Sequence, residues 1–215
     1  MEKIVLATGN PHKVEELRAI FAECGVKGVE FVGLASVAPA GLSEPRETGA
    51  TFEENASIKA HSYARQTRLM CLADDSGLEV LALGGKPGVI SSHYCTDGQE
   101  TGMPRAERDA ANNRKVLMQL EEAPPEKRGA RFVCVMALAT GDRILASVRG
   151  VLDGRIGMPP EVPRGAHGFG YDPLFLVGPD FTRTGAELPP DEKNRVSHRA
   201  RAARAMAERI RQLFP

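Results

Sequence analysis

The sequence predicts an α/β fold with a central mixed sheet flanked by helices. Short apolar runs of strand length alternate with stretches whose apolar residues recur every three or four positions, and Gly, Pro, Asn and Asp cluster between them. At 215 residues, 42% of them hydrophobic, the chain can bury a substantial core as one domain or two closely joined lobes.

Lys3 to Ala7 forms the first short strand. Thr8-Gly9-Asn10-Pro11-His12-Lys13 then turns the chain into a helix with Val14, Leu17, Ile20 and Phe21 on one face, ending at Gly25. Residues 36–50 are rich in Pro, Gly and Ser. Thr51-Phe52-Glu53-Glu54 has the spacing of a capping box and opens a second helix through about Gln66. The apolar run from Leu69 reads as a buried strand that ends at Asp74, carrying Asp74 and Asp75 to its tip. Gly84-Gly85-Lys86-Pro87-Gly88 marks a turn, and residues 91–103 read as a mobile polar loop. A third helix spans Pro104 to Glu121 and stops before Pro124-Pro125. Ala130 to Thr140 and Arg143 to Val151 form a hairpin about Gly141-Asp142, followed by a loop with Pro159, Pro160 and Pro163. Tyr171 to Val177 is another strand. The last helix, Arg199 to Phe214, buries Ala203, Met206, Ala207, Ile210 and Leu213. The chain holds no internal repeat, low-complexity tract or linker, so residues 1–215 read as a single domain.

Charge narrows the partners. Lys plus Arg and Asp plus Glu both total 28, so no field of one sign draws in a nucleic-acid backbone or an anionic membrane. Any bound anion must be held locally. The four cysteines show no CxxC spacing, and Cys71 and Cys134 fall in apolar runs, which fits buried thiols in a reducing cytoplasm. The N-terminal apolar stretch is too short for a signal peptide, and nowhere do about 18 apolar residues run together.

Several segments carry candidate chemistry. A carboxylate pair is costly to desolvate unless it meets a cation or shares a proton, so Asp74 and Asp75 point to a metal or acid/base site; an Asp-Ser-Gly turn is the alternative. Successive strand side chains face opposite ways, so one of the two should be the principal ligand or base. Asn10 suits an N-cap and Pro11 the first helical position, leaving helix N–H groups free for an anion; Lys13 adds charge and Gly9 admits a close ligand. The same segment also reads as an ordinary capped helix with a solvated lysine. Glu47 lies on a loop ahead of the second helix, and Lys59 lies two turns along it. Glu47 with one Asp would suffice for Mg²⁺, which keeps several waters and takes one or two carboxylates. Gly168-Phe169-Gly170-Tyr171-Asp172 places aromatics between glycines, suited to stacking a nucleobase or to a tight turn with core aromatics. Ser197 can cap the last helix and leaves His198 and Arg199 in its first turn, where basic groups oppose the helix dipole and call for an anion or a carbonyl oxygen.

Taken in order, these segments resemble the non-canonical purine nucleoside triphosphate pyrophosphatases, the inosine triphosphate pyrophosphatase or Ham1-like family. The matching stretches are ATGNPHKVEEL at 7–17, ETGATFEENASIKA at 47–60, ADDSGL at 73–78, GGKPGV at 84–89, HGFGYDPLF at 167–175 and EKNRVSHR at 192–199. The resemblance implies an elongated two-lobed protein with an active-site cleft between the lobes, usually a homodimer. It implies cleavage of ITP, dITP or XTP to the monophosphate and pyrophosphate with Mg²⁺, cleansing the nucleotide pool of deaminated purines. Carried over by residue, Thr8, Gly9, Asn10, Pro11, His12 and Lys13 would hold phosphates, and Glu47 and Asp75 would bind Mg²⁺. Asp75 takes the family's proton-acceptor position, with Lys59 and Ser76 lining the same pocket. Phe169, Gly170, Tyr171 and Asp172 would form the base pocket, completed by Lys193, His198 and Arg199. Asp74 would be a second carboxylate ligand or a partner behind it.

The chemistry agrees with that expectation. Phosphoryl chemistry needs charge neutralisation and positioning more than a covalent partner, so water is the expected nucleophile. A 6-oxo purine accepts hydrogen bonds where a 6-amino purine presents donors, so donors at His198 or Arg199 would reject ATP. The chain departs from the family where Ser91-Ser92-His93-Tyr94 puts His93 in place of a usual arginine, and His93 to Met103 and Pro159 to Arg164 are idiosyncratic. Two other functions compete: hydrolysis of other modified nucleotides, and nucleotide binding without catalysis. The expected geometry brings the strand tip, the start of the first helix and the start of the last helix to one crevice.

Overall fold

Strands and α-helices carry the sequence pattern into three dimensions in a computed structural model that describes residues 1–9, 11–38 and 41–215, without the side chains of Pro11 and His12. The strands are β1 (Glu2–Leu6), β2 (Val29–Gly33), β3 (Met70–Val80), β4 (Gly129–Thr140), β5 (Arg143–Ile156) and β6 (Phe175–Val177). The α-helices are α1 (Pro11–Glu23), α2 (Leu34–Val37), α3 (Phe52–Thr67), α4 (Arg105–Gln119), α5 (Pro190–Val196) and α6 (His198–Leu213). The hydrogen-bonded strand order is β2-β1-β3-β4-β5-β6. Parallel pairing of β1 with β2 and β3, and antiparallel pairing of β5 with β6, make the sheet mixed as expected. Among the described residues no helix is long and apolar enough to cross a membrane.

The chain divides into two compact units. The first holds Met1–Asp75, Cys134–Gly150 and His198–Pro215; the second holds Ser76–Val133 and Val151–Ser197.

In the first unit, β1 buries Ile4, Val5 and Leu6, and α1 turns Val14, Leu17, Ile20 and Phe21 inward, the face its spacing predicts. The small residues of α6, with Met206 and Ile210, pack in the same core as α1 and the sheet residues Leu72, Met136 and Leu138. Each fully buried large aliphatic or aromatic side chain contributes about 1.5–3 kcal/mol. Phe21 stacks on Phe31 with ring centroids 4.4 Å apart. Gly150 lets α6 approach β5 at backbone distance, since a Cβ there would lie 2.2 Å from the His198 carbonyl oxygen. Cys71 and Cys134 are buried and all four cysteines are free thiols.

The second unit is built on Leu78, Val80, Tyr94, Val116, Leu120 and Phe132, with Leu174, Phe175 and Leu176. At its centre Arg128, 1% exposed, donates to four backbone carbonyls: Leu120 at 2.6 Å, Ala123 at 3.1 Å, Ile156 at 3.0 Å and Gly157 at 3.1 Å.

Several expected boundaries are corrected. The strand from Leu69 does not end at Asp74; β3 runs to Val80, because Leu78 and Val80 continue the buried pattern, so the acidic pair sits mid-strand. Residues 91–103 are not simply a polar loop. A 3-10 segment, Gly88–Thr96, is held by buried Asn112, whose Oδ1 accepts the Cys95 N–H at 2.7 Å while Nδ2 donates to the carbonyls of Ser91 and Ser92. Of Tyr171 to Val177 only β6 is strand, since the N–H groups of Leu174 and Phe175 both turn back to the Tyr171 carbonyl. β2, α2 and α5 are additional elements. Asn10, the expected N-cap of α1, lies outside the described residues.

Candidate active site

Parallel register decides where the first unit presents its chemistry. Ile4, Val5 and Leu6 of β1 pair with Met70, Cys71 and Leu72 of β3, and the Ala7 N–H continues the ladder to the Leu72 carbonyl at 2.8 Å. Thr8 and Gly9 therefore leave the carboxyl end of β1 beside Ala73 and Asp74 of β3, next to the start of α1, the kind of strand-to-helix turn where open α/β sheets bind ligands. A small pocket there is lined by Leu6, Thr8, Leu72 and Asp74 among others. A Cβ at Gly9 would meet nothing within 4 Å, so the backbone is open to close approach.

The two aspartates take different partners, as the alternation of a strand requires. Asp74 receives Lys13 Nζ on both oxygens at 3.1 Å, and Arg199 Nε lies 3.7 Å from its Oδ2. Burial would raise its pKa, but Lys13 and then Arg199 hold it well below the usual carboxylate range. Asp75 instead receives Lys59 Nζ on Oδ1 at 2.8 Å, and the same ammonium lies 3.1 Å from Glu47 Oε1. Burial first, then the neighbouring Glu47 carboxylate, push Asp75 up to about 6 against the opposing pull of Lys59. Burial would lower Lys59, but Asp75 and Glu47 raise it, so it remains a cation.

Local structure explains why Lys59 and Glu47 arrive together. The predicted capping box is present: Thr51 Oγ1 accepts the Glu54 N–H, and Glu54 Oε2 accepts the Thr51 N–H, both at 3.2 Å. Such caps contribute about 1 kcal/mol. Buried Asn55 Oδ1 accepts the Gly49 N–H at 2.8 Å and ties down the loop two residues after Glu47.

The donor set fits a hard divalent cation. Asp75 Oδ2 is buried and accepts no hydrogen bond among the described residues, and a second carboxylate stands next to it. Two carboxylates with an unused oxygen match the one or two that Mg²⁺ takes while retaining waters. No cluster of three or more His, Cys, Asp or Glu forms a larger cage among the described residues.

The second unit gathers Phe169, Asp172 and Lys193. Asp172 Oδ2 accepts the Phe169 N–H at 2.8 Å and a short ion pair from Lys193, whose Nζ is 5.6 Å from the Phe169 ring centroid. Gly168, at φ +78°, leaves room for this pair, since a Cβ would lie 2.2 Å from Asp172 Oδ2. Phe169 is 55% exposed, whereas Tyr171 is buried and its hydroxyl donates to the Ser91 carbonyl at 2.8 Å. Of the two aromatics, Phe169 is the exposed one.

The structure thus joins Lys13, Asp74 and Arg199 in one cluster and Glu47, Lys59 and Asp75 in another, both in the first unit. His198 begins α6 there, and half-buried Ser76 opens the second unit's part of β3. Arg199, expected beside the base, pairs with Asp74. Pro11 and His12 stand in the first turn of α1, and their side chains lie outside what the structure describes. His93, in place of the usual arginine, pairs with Glu100 at 2.7 Å. Arg105, Asp109 and Asn113 also touch the Phe169–Asp172 segment, and the sequence carries one signal for them: the i, i+4, i+8 spacing that puts polar groups on one face of α4.

Comparisons with known proteins agree along almost the whole chain. The sequence profile of the Ham1 family matches residues 4–209. A protein of Frankia alni named dITP/XTP pyrophosphatase is 48% identical over 213 residues, covering 99% of this chain and 98% of that one. Another of that name from Pseudomonas aeruginosa is 43% identical, covering 98% of each. The solved structure of a HAM1 protein from Coxiella burnetii aligns with a TM-score of 0.82 at 39% identity, covering 99% of this chain and all of the other. The Staphylococcus aureus Ham1 protein gives 0.81 at 32% identity, with the same coverage.

Proposed function

Because the chain belongs to the Ham1 family, we propose that it hydrolyses deaminated purine nucleoside triphosphates (ITP, dITP and XTP) to the monophosphate and pyrophosphate, clearing them from the nucleotide pool. One observation carries this onto the chain's own residues: adjacent aspartates on β3 serve opposite purposes, Asp74 neutralised by two cations and Asp75 keeping a buried oxygen that accepts no hydrogen bond among the described residues.

Glu47 and Asp75 would hold Mg²⁺, which when bound neutralises phosphate charge and polarises water. Lys59 bridges the two carboxylates and fixes their spacing. An ammonium has three donors and a guanidinium five, so Lys13 and Arg199 keep N–H groups for phosphate oxygens while Asp74 orients them. The first-turn N–H groups of α1 add donors without added charge. Water cleaves the α–β anhydride, pyrophosphate leaves, and the water's proton passes to Asp75. A carboxyl pushed up to about 6 is a stronger base than an ordinary aspartate. Phe169 stacks the base, with Gly170, Tyr171 and Asp172 shaping its surroundings. In the second unit Lys193 presents donors that accept a 6-oxo purine and reject a 6-amino one. A homodimer and a cytoplasmic location belong to the same reading, supported by family resemblance.

Product analysis tests it. Incubated with ITP, XTP, dITP, GTP and ATP, the protein is expected to release pyrophosphate and monophosphate from the first three, to leave ATP nearly intact, and to stop when Mg²⁺ is chelated. Orthophosphate as the first product would refute the assigned cleavage. Lys13→Ala is expected to raise the KM for ITP at least about tenfold, the usual weight of a hydrogen bond between charged groups. An unchanged KM in steady-state assays would remove Lys13 from the phosphate site.

A further inference from the structure

Three side chains on one face of α4 hold the segment assigned to the base. Asp109 Oδ2 accepts the Gly170 N–H at 3.0 Å, and Asn113 Nδ2 donates to the Gly170 carbonyl at 3.1 Å. Both backbone polar groups of one residue are therefore gripped by a single helix. Arg105, one turn before Asp109, lies with its guanidinium 4.6 Å from the Phe169 ring centroid and its Nε 3.9 Å from Asp109 Oδ2.

The Asn113 amide is oriented by chemistry: a carbonyl can only accept, so Nδ2 must face Gly170. Its Oδ1 is then left buried without a hydrogen-bond partner among the described residues. An amide that forgoes half of its hydrogen bonding to hold a neighbouring carbonyl is poorly explained as core filling. Gly170 needs holding, because at φ +61° glycine has the widest conformational freedom of any residue. The exposed ring of Phe169 hangs directly before it.

We propose that Asp109 and Asn113 are positioning residues for purine recognition: they lock Gly170, and so set the Phe169 ring at the angle a base must meet, while Arg105, anchored by Asp109, braces that ring through a cation–π contact. This rests on the reading that Phe169 stacks the base.

The test separates base from phosphate. KM and kcat for ITP, and the inhibition constant of inorganic tripolyphosphate, which has no base, are measured for the wild type, Asp109→Ala, Asn113→Asp and Asp109→Asn. Asn113→Asp is nearly isosteric, so it retains the fold while replacing the donor with an acceptor. Asp109→Ala and Asn113→Asp are expected to raise KM about tenfold, with kcat within about twofold and the tripolyphosphate constant unchanged. Asp109→Asn, which keeps an acceptor oxygen for Gly170, restores a near wild-type KM. Variants with wild-type KM, or with tripolyphosphate inhibition weakened in parallel, overturn the inference while leaving the proposed function standing. A wild type that binds ITP no better than tripolyphosphate overturns both.

Discussion

Asp75→Asn is expected to lower pyrophosphate release from ITP by about 10³-fold, the middle of the range for removing a positioned acid/base group, while ITP still binds. The variant keeps an oxygen for Lys59, so the Lys59–Glu47 arrangement survives, but it can neither accept the water's proton nor contribute a charged ligand. A stability measurement separates this from unfolding. Because burial and Glu47 hold the folded-state Asp75 at about 6, above its ordinary value, the folded protein binds the proton more tightly than the unfolded chain. Stability from this group is present at low pH and is lost as pH rises through about 4 to 6. At pH 8 in metal-free buffer the ionised Asp75 is a burden on the order of 1–3 kcal/mol, which asparagine removes. The variant should therefore melt no lower than the wild type under those conditions, and Mg²⁺ should raise the melting temperature of the wild type alone. Retained turnover, or a variant that melts several degrees lower, would remove Asp75 from its assigned role.

The largest stability effect is expected at Arg128, far from any motif. Arg128→Met fills similar volume but removes the guanidinium from the carbonyls of Leu120, Ala123, Ile156 and Gly157, of which that of Leu120 keeps the Ala123 N–H at 2.9 Å. Those carbonyls lie at the C-terminal end of α4 and the end of β5, around a side chain that is 1% exposed. The loss should reach about 3–5 kcal/mol, the range for breaking a buried, charged hydrogen-bonded group. Arg128→Lys, with fewer donors in a different geometry, should fall between. Urea unfolding reads the difference, and a loss below about 1 kcal/mol for Arg128→Met would mean that the four carbonyls find other donors.

These two residues also mark what the sequence disclosed and what it withheld. Asp75 was legible because its partners are local or patterned: the apolar run of β3 delivers it, the Thr51–Glu54 box starts the helix that carries Lys59, and strand alternation separates it from Asp74. The extent of β3 was less legible, since Asp-Asp-Ser-Gly has the composition of a turn and only the burial of Leu78 and Val80 overrides it. Arg128 was invisible because it binds backbone carbonyls, which leave no trace in residue identity. Asp109 and Asn113 were hidden by distance, their partner Gly170 lying 61 and 57 residues further along the chain. Arg199 was legible as a cation for an anionic partner, but only the packing of α6 beside α1 revealed that Asp74 is that partner.

The joining of Lys13 and Arg199 on Asp74 has a consequence for biosynthesis. The first unit is completed by residues 198–215, translated more than a hundred residues after its opening stretch of 1–75. At about 5–20 residues per second the nascent α1 and β1 must wait on the order of ten seconds for their final partner, with Val14, Leu17 and Phe21 uncovered and a carboxylate lacking one of its two cations.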